Sequence, residues 1–447
     1  IVTATTFSGS GASLTNIPDS ALSAVTASKL TGALPAISGA NLTGIAATDN
    51  VRTGILDVAG ISTFRNTVNI GAAVTISESG IEASGIGITC ANINGGQIGG
   101  RRNVIINGDM QIWQRSTSAS DIGGSNGYFA CDRYRSSNNG SQRHTISRST
   151  DTPNGFGYSM KIDVTTANAS PSAANYVFIQ HRLEGHDVQQ FAKGSSDAKQ
   201  YTLSFYVKSP KTGVHVVQWE DVQNSRSTSK SYTVSQANTW EKHTITFDAD
   251  TTGAISNDSS HRMQLYFWLM AGSTYNSGSL ATTWGSTGTS NRAAGQVNVF
   301  DNTSNDFYIT GIQLEVGPQA TAFEHRSFAE ELILCQRYYQ RYREGNNISL
   351  GLGFGYAADE LDIPISFIVP MRSSPSLEQS VSTSGYAQIE GSGIGGSQFV
   401  NANFTLQFGS TNGCNLYVDP AATLTSGSPY HLILRNASAY IAFTSEL

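Results

Sequence analysis

The chain has 447 residues, only 13% of them charged, with 45 Gly against 11 Pro and a formal net charge of −6. That length holds two or three domains with cores of ordinary size, and the weakly charged, Gly-rich composition suits turns and strands better than helices. Net negative charge argues against a nucleic-acid partner, which requires a basic face, and against an anionic membrane surface; the longest apolar run, 265–271, is far too short to insert into a bilayer.

Four cysteines, Cys90, Cys131, Cys335 and Cys414, are scattered without a C-x-x-C pair, so free thiols are expected rather than a disulfide scaffold or a zinc ribbon. The chain opens at Ile1, which leaves open what precedes it.

Residues 1–50 carry an internal repeat, SGASLTNI at 10–17 returning as SGANLTGI at 38–45. Short repeats of this kind are stacking units, and they predict an N-terminal stalk. Across 1–100 the only aromatics are Phe7 and Phe64, too few for a globular core in one chain. From 51 to 100 apolar residues alternate in pairs, Leu56 with Val58, Val68 with Ile70, Val74 with Ile76, Ile86 with Ile88, punctuated by glycine. The alternation favours a slender β-shaft in which three chains pool narrow apolar faces; a flexible linker and a single-chain β-helix are the alternatives.

Residues 101–326 read as strand after strand, among them MQIW, YFACDRYR, SMKIDVTT, YVFIQHRL, YTLSFYVKS and HRMQLYFWLM. About ten strands with no intervening helix predict an antiparallel, jelly-roll-like β-sandwich. At its end Ile312, Leu314 and Val316 alternate with Gln313 and Glu315, one face buried and one wet. Ser327 and Glu330 then stand at capping-box spacing, and Phe328, Leu332, Cys335, Tyr339 and Tyr342 fall on one helical stripe, predicting a connecting helix over 327–345. Residues 346–447 return to strand character in LDIPISF, NFTLQFGS, NLYVD, YHLILRN and AYIAFTS, with GSGIGGSQ as a loop, and predict a smaller distal β tip domain.

Taken together, NVIINGDMQIWQR at 103–115, YTLSFYVKS at 201–209, the Trp240-Glu241 pair and ITGIQLEVGPQATAFEHRSFAEELILCQRYYQRY at 309–342 resemble a β-sandwich module of bacteriophage tail-fibre and appendage proteins, cyanophages especially. The resemblance covers about half the chain. It implies a virion adhesion fibre, usually a homotrimer, joined to other tail proteins at its N-terminal end.

Candidate chemistry is sparse. The acids Glu184, Asp187, Glu220, Asp221, Asp359, Glu360 and Asp362 have no spacing that enforces a catalytic pair. His181 and His186 stand five apart, unlike the H-E-x-x-H metal motif. Residues 248–259 place Asp248, Asp250 and Gly253 as a calcium loop would but end in Ser259 instead of Glu. The expectation is no catalytic residues, no metal and no cofactor. Recognition remains: tyrosines can lay rings against the C–H face of a sugar while amides bind its hydroxyls, and in the tip Tyr356, Tyr386, Phe399, Tyr417 and Tyr430 are the receptor-binding candidates. The reading is a phage tail fibre binding a host surface glycan or lipopolysaccharide through trimeric tips. A fibre-borne polysaccharide-degrading enzyme and a purely structural appendage are the alternatives.

Overall fold

A computed structural model describes residues 101–380, 386–400, 403–420 and 422–447, together with Thr15 and Asn16. Apart from Thr15 and Asn16, the expected stalk over 1–50, the expected shaft over 51–100 and Cys90 lie outside the described residues.

Two antiparallel sheets are built between residues 118 and 316. One runs in the order Ser118–Ile122, Arg143–Ser149, Ser159–Thr166, Asp306–Val316, Tyr201–Lys208, Glu241–Phe247. The other runs Gly285–Ser286, Arg226–Val234, Gly213–Asp221, His261–Ala271, Tyr176–Glu184, Tyr134–Asn139, Asn126–Gly127. The expected alternation decides the packing: Tyr201, Leu203, Phe205 and Val207 are each 2% exposed or less. They meet the facing sheet through Phe205 on Phe267 at 5.2 Å and Tyr201 against Trp219 at 6.0 Å between ring centroids. The protein is thus mainly β and sandwiched, as its alternation predicts.

Local corrections have local causes. Arg143–Ser149 and Arg226–Val234 are strands that hydropathy misses, because polar residues fill inward positions, His144 in the first and Ser227, Thr228 and Ser229 in the second. MQIW is not a strand. That segment is laced by asparagine side chains acting as surrogate backbone: Asn103 Nδ2 donates to the Ile312 carbonyl (3.0 Å) while its Oδ1 accepts from the Ile105 and Leu314 N–H groups. Asn107 Nδ2 donates to the Ile112 and Asp132 carbonyls. A β-carbon on Gly108 would stand 2.2 Å from the Ile312 carbonyl oxygen, so glycine is required there.

Within the strand Asp306–Val316, residues 309–315 are buried on both faces. Gln313 and Glu315 are buried under residues 321–324, where Glu315 accepts from the Thr321 N–H (2.8 Å) and Gln313 Oε1 from the Glu324 N–H (2.7 Å). Ser327 caps the following helix with both halves of the capping box formed.

That helix is Phe328–Gln336, not 327–345, and Tyr339–Glu344 is a strand paired with Tyr440–Thr444. Tyrosine favours pleated, half-buried surfaces. Here the chain can satisfy its backbone on a waiting strand edge, with Phe328 left 60% exposed rather than on a buried stripe. Arginine lies over rings on both sides of this strand: Arg341 sits 3.8 Å from the Tyr440 centroid, and Arg115, from the sandwich, 3.7 Å from that of Tyr339.

The tip has its own core, including Leu350, Leu361, Ile363, Tyr386, Leu416, Tyr430, Leu432 and Phe443. A three-stranded sheet (Tyr339–Glu344, Tyr440–Thr444, Ser376–Gln379) accompanies a seven-stranded one. The latter runs Gln398–Val400, Ala387–Gly391, Pro429–Leu434, Ile348–Ala357, Glu360–Ser366, Gly413–Val418, Thr405–Gln407.

Arginine ties tip to sandwich. Glu446 reaches into the sandwich to pair with Arg133 (2.5 Å) and Arg115 (3.3 Å), all three nearly solvent-free. Arg337 forks onto both Glu184 oxygens at 2.7 Å, and Arg372 donates to the carbonyls of Ser259, Ser445 and Glu446.

Candidate functional site

Six of the acids singled out in the sequence, Glu184, Asp187, Glu220, Asp221, Asp248 and Asp250, lie in the sandwich, and structural partners hold all of them but Asp187. Glu184 holds Arg337 and the Tyr338 hydroxyl, Asp221 holds Lys193 (2.5 Å), and Glu220 holds Arg292 (3.0 Å) and Gln264 (2.9 Å). Asp250 is neutralised by Arg226 and Lys193. His181 is buried and accepts from the Ile106 N–H, and burial holds its imidazole well below the usual range. Asp187 is raised by burial and then by the Glu184 charge, beside a small cavity of about 160 Å³ between Arg101, Arg326 and Leu334.

The sandwich does carry aromatics on the outer face of its larger sheet. Tyr266 and Trp268 stack there (6.1 Å, 18°) beside Phe178, but Tyr275, Leu280 and Ala293 pack over them and leave them buried.

The tip differs. In the strand Ile348–Ala357, Gly351, Gly353 and Gly355 alternate with Leu352, Phe354 and Tyr356. The glycines face inward because the core is already filled. A β-carbon at Gly353 would meet the Asp362 carbonyl oxygen at 2.6 Å and Ile363 Cγ1 at 2.9 Å; one at Gly355 would meet the Thr425 carbonyl oxygen at 2.8 Å and the Tyr430 ring at 3.2 Å. With no room inside, the large side chains point out: Leu352 is 62%, Phe354 52% and Tyr356 70% exposed. This inverts the usual assignment of apolar residues to the core face.

Cross-strand register extends the row into a surface. Phe354 stands opposite Pro429 on one side and Asp362 on the other, Asp362 opposite Tyr417, and Pro364 opposite Asn415. The loop over 424–428 supplies a wall, with Gly427 N–H donating to the Gly355 carbonyl (2.8 Å) and Ser426 Oγ to the Tyr356 carbonyl (3.1 Å). Phe354, Tyr356, Asp362, Pro364, Asn415 and Ser426 thus line a groove of about 530 Å³. Asp362 Oδ1 is shielded from solvent and has no hydrogen-bond partner among the described residues. Two ring faces, the Asp362 carboxylate and an amide can hold a flat, hydroxyl-bearing ligand.

Of the five candidates, Tyr356 is in this groove and half-buried Tyr417 beside it. Phe399, 48% exposed, shares the sheet face through its pairing with Gln388 but lies three strands away, about 14 Å at the usual strand spacing. Tyr386 and Tyr430 are corrections: both are core residues, 2% and 0% exposed, with the Tyr386 hydroxyl donating to the Tyr440 carbonyl and the Tyr430 hydroxyl accepting from the Thr425 N–H, each at 2.7 Å. Leu352, Phe354 and Asn415 were missed; the alternation GLGFGY at 351–356 was the available signal, a strand whose inward positions are all glycine. Cys131, Cys335 and Cys414 are free and buried, their thiols raised by desolvation, Cys414 to about 11.

The sequence matches no family model and no curated protein. Solved structures similar to it include the enzymatically active domain of tailspike protein 4 of bacteriophage CBA120, with 12% identity over 48% of this chain and a TM-score of 0.26; the overlap spans 21% of that chain. TmCBM61 in complex with β-1,4-galactotriose matches at 8% identity over 48% of this chain and 99% of its own, TM-score 0.26. A family 22 carbohydrate-binding module from Clostridium thermocellum matches at 14% identity, 42% and 89% coverage, TM-score 0.24. None of these likenesses is close enough to assign a ligand to this chain.

Proposed function

We propose that the chain is a virion fibre or appendage protein of a bacteriophage that attaches to its host by binding a surface glycan through the outer face of the tip sheet. The observation that carries the binding half is the exposed row Leu352, Phe354 and Tyr356 beside the Asp362 carboxylate and Asn415 in the groove. Large apolar side chains on an outward strand cost solubility and contribute little to folding. A sugar explains them: its C–H face covers the rings while its hydroxyls donate to Asp362 and bridge to Asn415. The virion half rests on the resemblance of residues 101–344 to tail-fibre modules. In this reading the fibre is a homotrimer, and three weak grooves in fixed register bind by avidity, each later contact being intramolecular.

The test is adsorption. Purified protein competes with phage for host cells, and Tyr356→Ala with Phe354→Ala abolishes the competition while the melting temperature stays within a few degrees. Undiminished competition by the double variant refutes the assignment of the site, and a monomeric mass by light scattering refutes the avidity mechanism. A binding role, rather than hydrolysis, is favoured because the groove lining offers one carboxylate, Asp362, where glycoside hydrolysis uses two flanking the bond.

A further inference from the structure

Charge is distributed unevenly along this chain. Residues 346–447 contain two arginines and no lysine against seven carboxylates, a net of −5 within the whole chain's −6. Both arginines are engaged away from the groove: Arg435 with Glu390 and Gln388, Arg372 with the carbonyls of the sandwich interface. Two of the remaining acids also have partners, since Glu446 holds Arg133 and Glu378 accepts from the Tyr339 hydroxyl. What is left is Asp359, Glu360, Asp362 and Asp419, and none of the four has an ion-pair partner among the described residues.

Topology gathers these four at one end of the groove. Asp359 lies in the turn joining Ile348–Ala357 to Glu360–Ser366, Glu360 opens the second of these strands, and Asp419 follows directly on Gly413–Val418, whose Val418 and Tyr417 stand opposite Leu361 and Asp362. Tyr417 reports the crowding: slight desolvation first, then the charges of Asp419, Glu360, Asp359 and Asp362, raise its phenol. Among the described residues, no cationic side chain lines the groove.

We infer that this groove selects an uncharged, hydroxyl-rich sugar and rejects polysaccharides bearing carboxylate, sulfate or phosphate, an inference that rests on the glycan-binding reading above. A neutral pyranose suits the lining groups: hydroxyls donate to the exposed side of the Asp362 carboxylate, Asn415 both donates and accepts, and Phe354 and Tyr356 take the C–H face. An acidic sugar placed on the same rings brings a second negative charge toward four uncompensated ones, with nothing to neutralise it. Like charges at this range weaken binding by roughly tenfold at low ionic strength and less as salt screens them. On a host envelope the groove therefore suits neutral chain segments and disfavours phosphorylated or uronate-rich ones.

The experiment places the full chain on immobilised oligosaccharides matched in backbone, one set neutral and one bearing uronate or sulfate, at low and high salt. The expected result is retention on neutral members that disappears in Tyr356→Ala, with roughly tenfold weaker retention on their acidic counterparts at low salt. The flanking variant Asp359→Asn, Glu360→Gln, Asp419→Asn, which leaves every groove-lining residue in place, keeps neutral binding and gains acidic binding. Tyr356-dependent retention of acidic sugars equal to or above neutral ones overturns the charge selection while leaving the glycan reading intact, as does a flanking variant whose discrimination is unchanged. Absence of Tyr356-dependent retention on either set overturns the glycan reading and this inference with it.

Discussion

Replacing Glu446 with alanine tests whether tip and sandwich are one mechanical unit. The Glu446 carboxylate lies against Arg133, whose side chain is 0% exposed, and Arg115, at 7%. Burial disfavours the charged Arg133, and the Glu446 charge outweighs it, holding the guanidinium pKa above its ordinary value. Truncation leaves two desolvated guanidinium groups without their counter-charge, and breaking a buried pair in this one-sided way costs about 3–5 kcal/mol. For a unit of this size that lowers the melting temperature by on the order of 10 °C. Calorimetry reads both the shift and its shape: because the tip has a separate core, the variant is expected to split the transition into an early tip phase and a later sandwich phase. Arg133→Met combined with Glu446→Leu removes one guanidinium together with the carboxylate and restores part of the loss, Arg115 still lacking the Glu446 charge. A Glu446→Ala protein that melts as one transition within a degree or two of the original refutes the argument, since Glu446 would then be solvated and the junction held by something else.

Two further outcomes follow from named positions. Burial, opposed by Arg115 and by hydrogen bonds from Gln114, raises the Asp132 carboxyl to about 6. Its unfolded value is about 3.9, so the folded state holds the proton more tightly; the stability this contributes is complete below about pH 4 and lost as pH rises through about 6, roughly 2–3 kcal/mol in all. Asp132→Asn flattens that part of the stability profile in urea titrations, and an identical profile in both proteins refutes the assignment. Gly353→Ala forces a β-carbon toward the Asp362 carbonyl and is expected to cost about 1–3 kcal/mol despite alanine's better strand propensity. Leu352→Thr, one residue away and facing solvent, changes urea stability by less than about 0.5 kcal/mol; equal effects at the two positions would mean the strand does not present its large residues outward.

What the amino-acid order determined by itself was the part governed by local periodicity. Tyr201, Leu203, Phe205 and Val207 alternate, and a period of two can only place them on one face of a strand, whatever surrounds it. Ser327 and Glu330 cap a helix because both bonds of the box close within four residues. Wherever the partner was distant in sequence, tertiary structure decided. Tyr339–Glu344 has the spacing of a helix and became a strand because Tyr440–Thr444, a hundred residues on, offered its edge. Tyr386 and Tyr430 look the same in sequence as Tyr356, yet two face the core and one faces solvent. The difference is volume: Tyr430 fills the space that Gly355 vacates, so Tyr356 has nowhere inside to go. Packing is a competition for a finite interior, and no single strand carries the information about which of its neighbours has already taken the room.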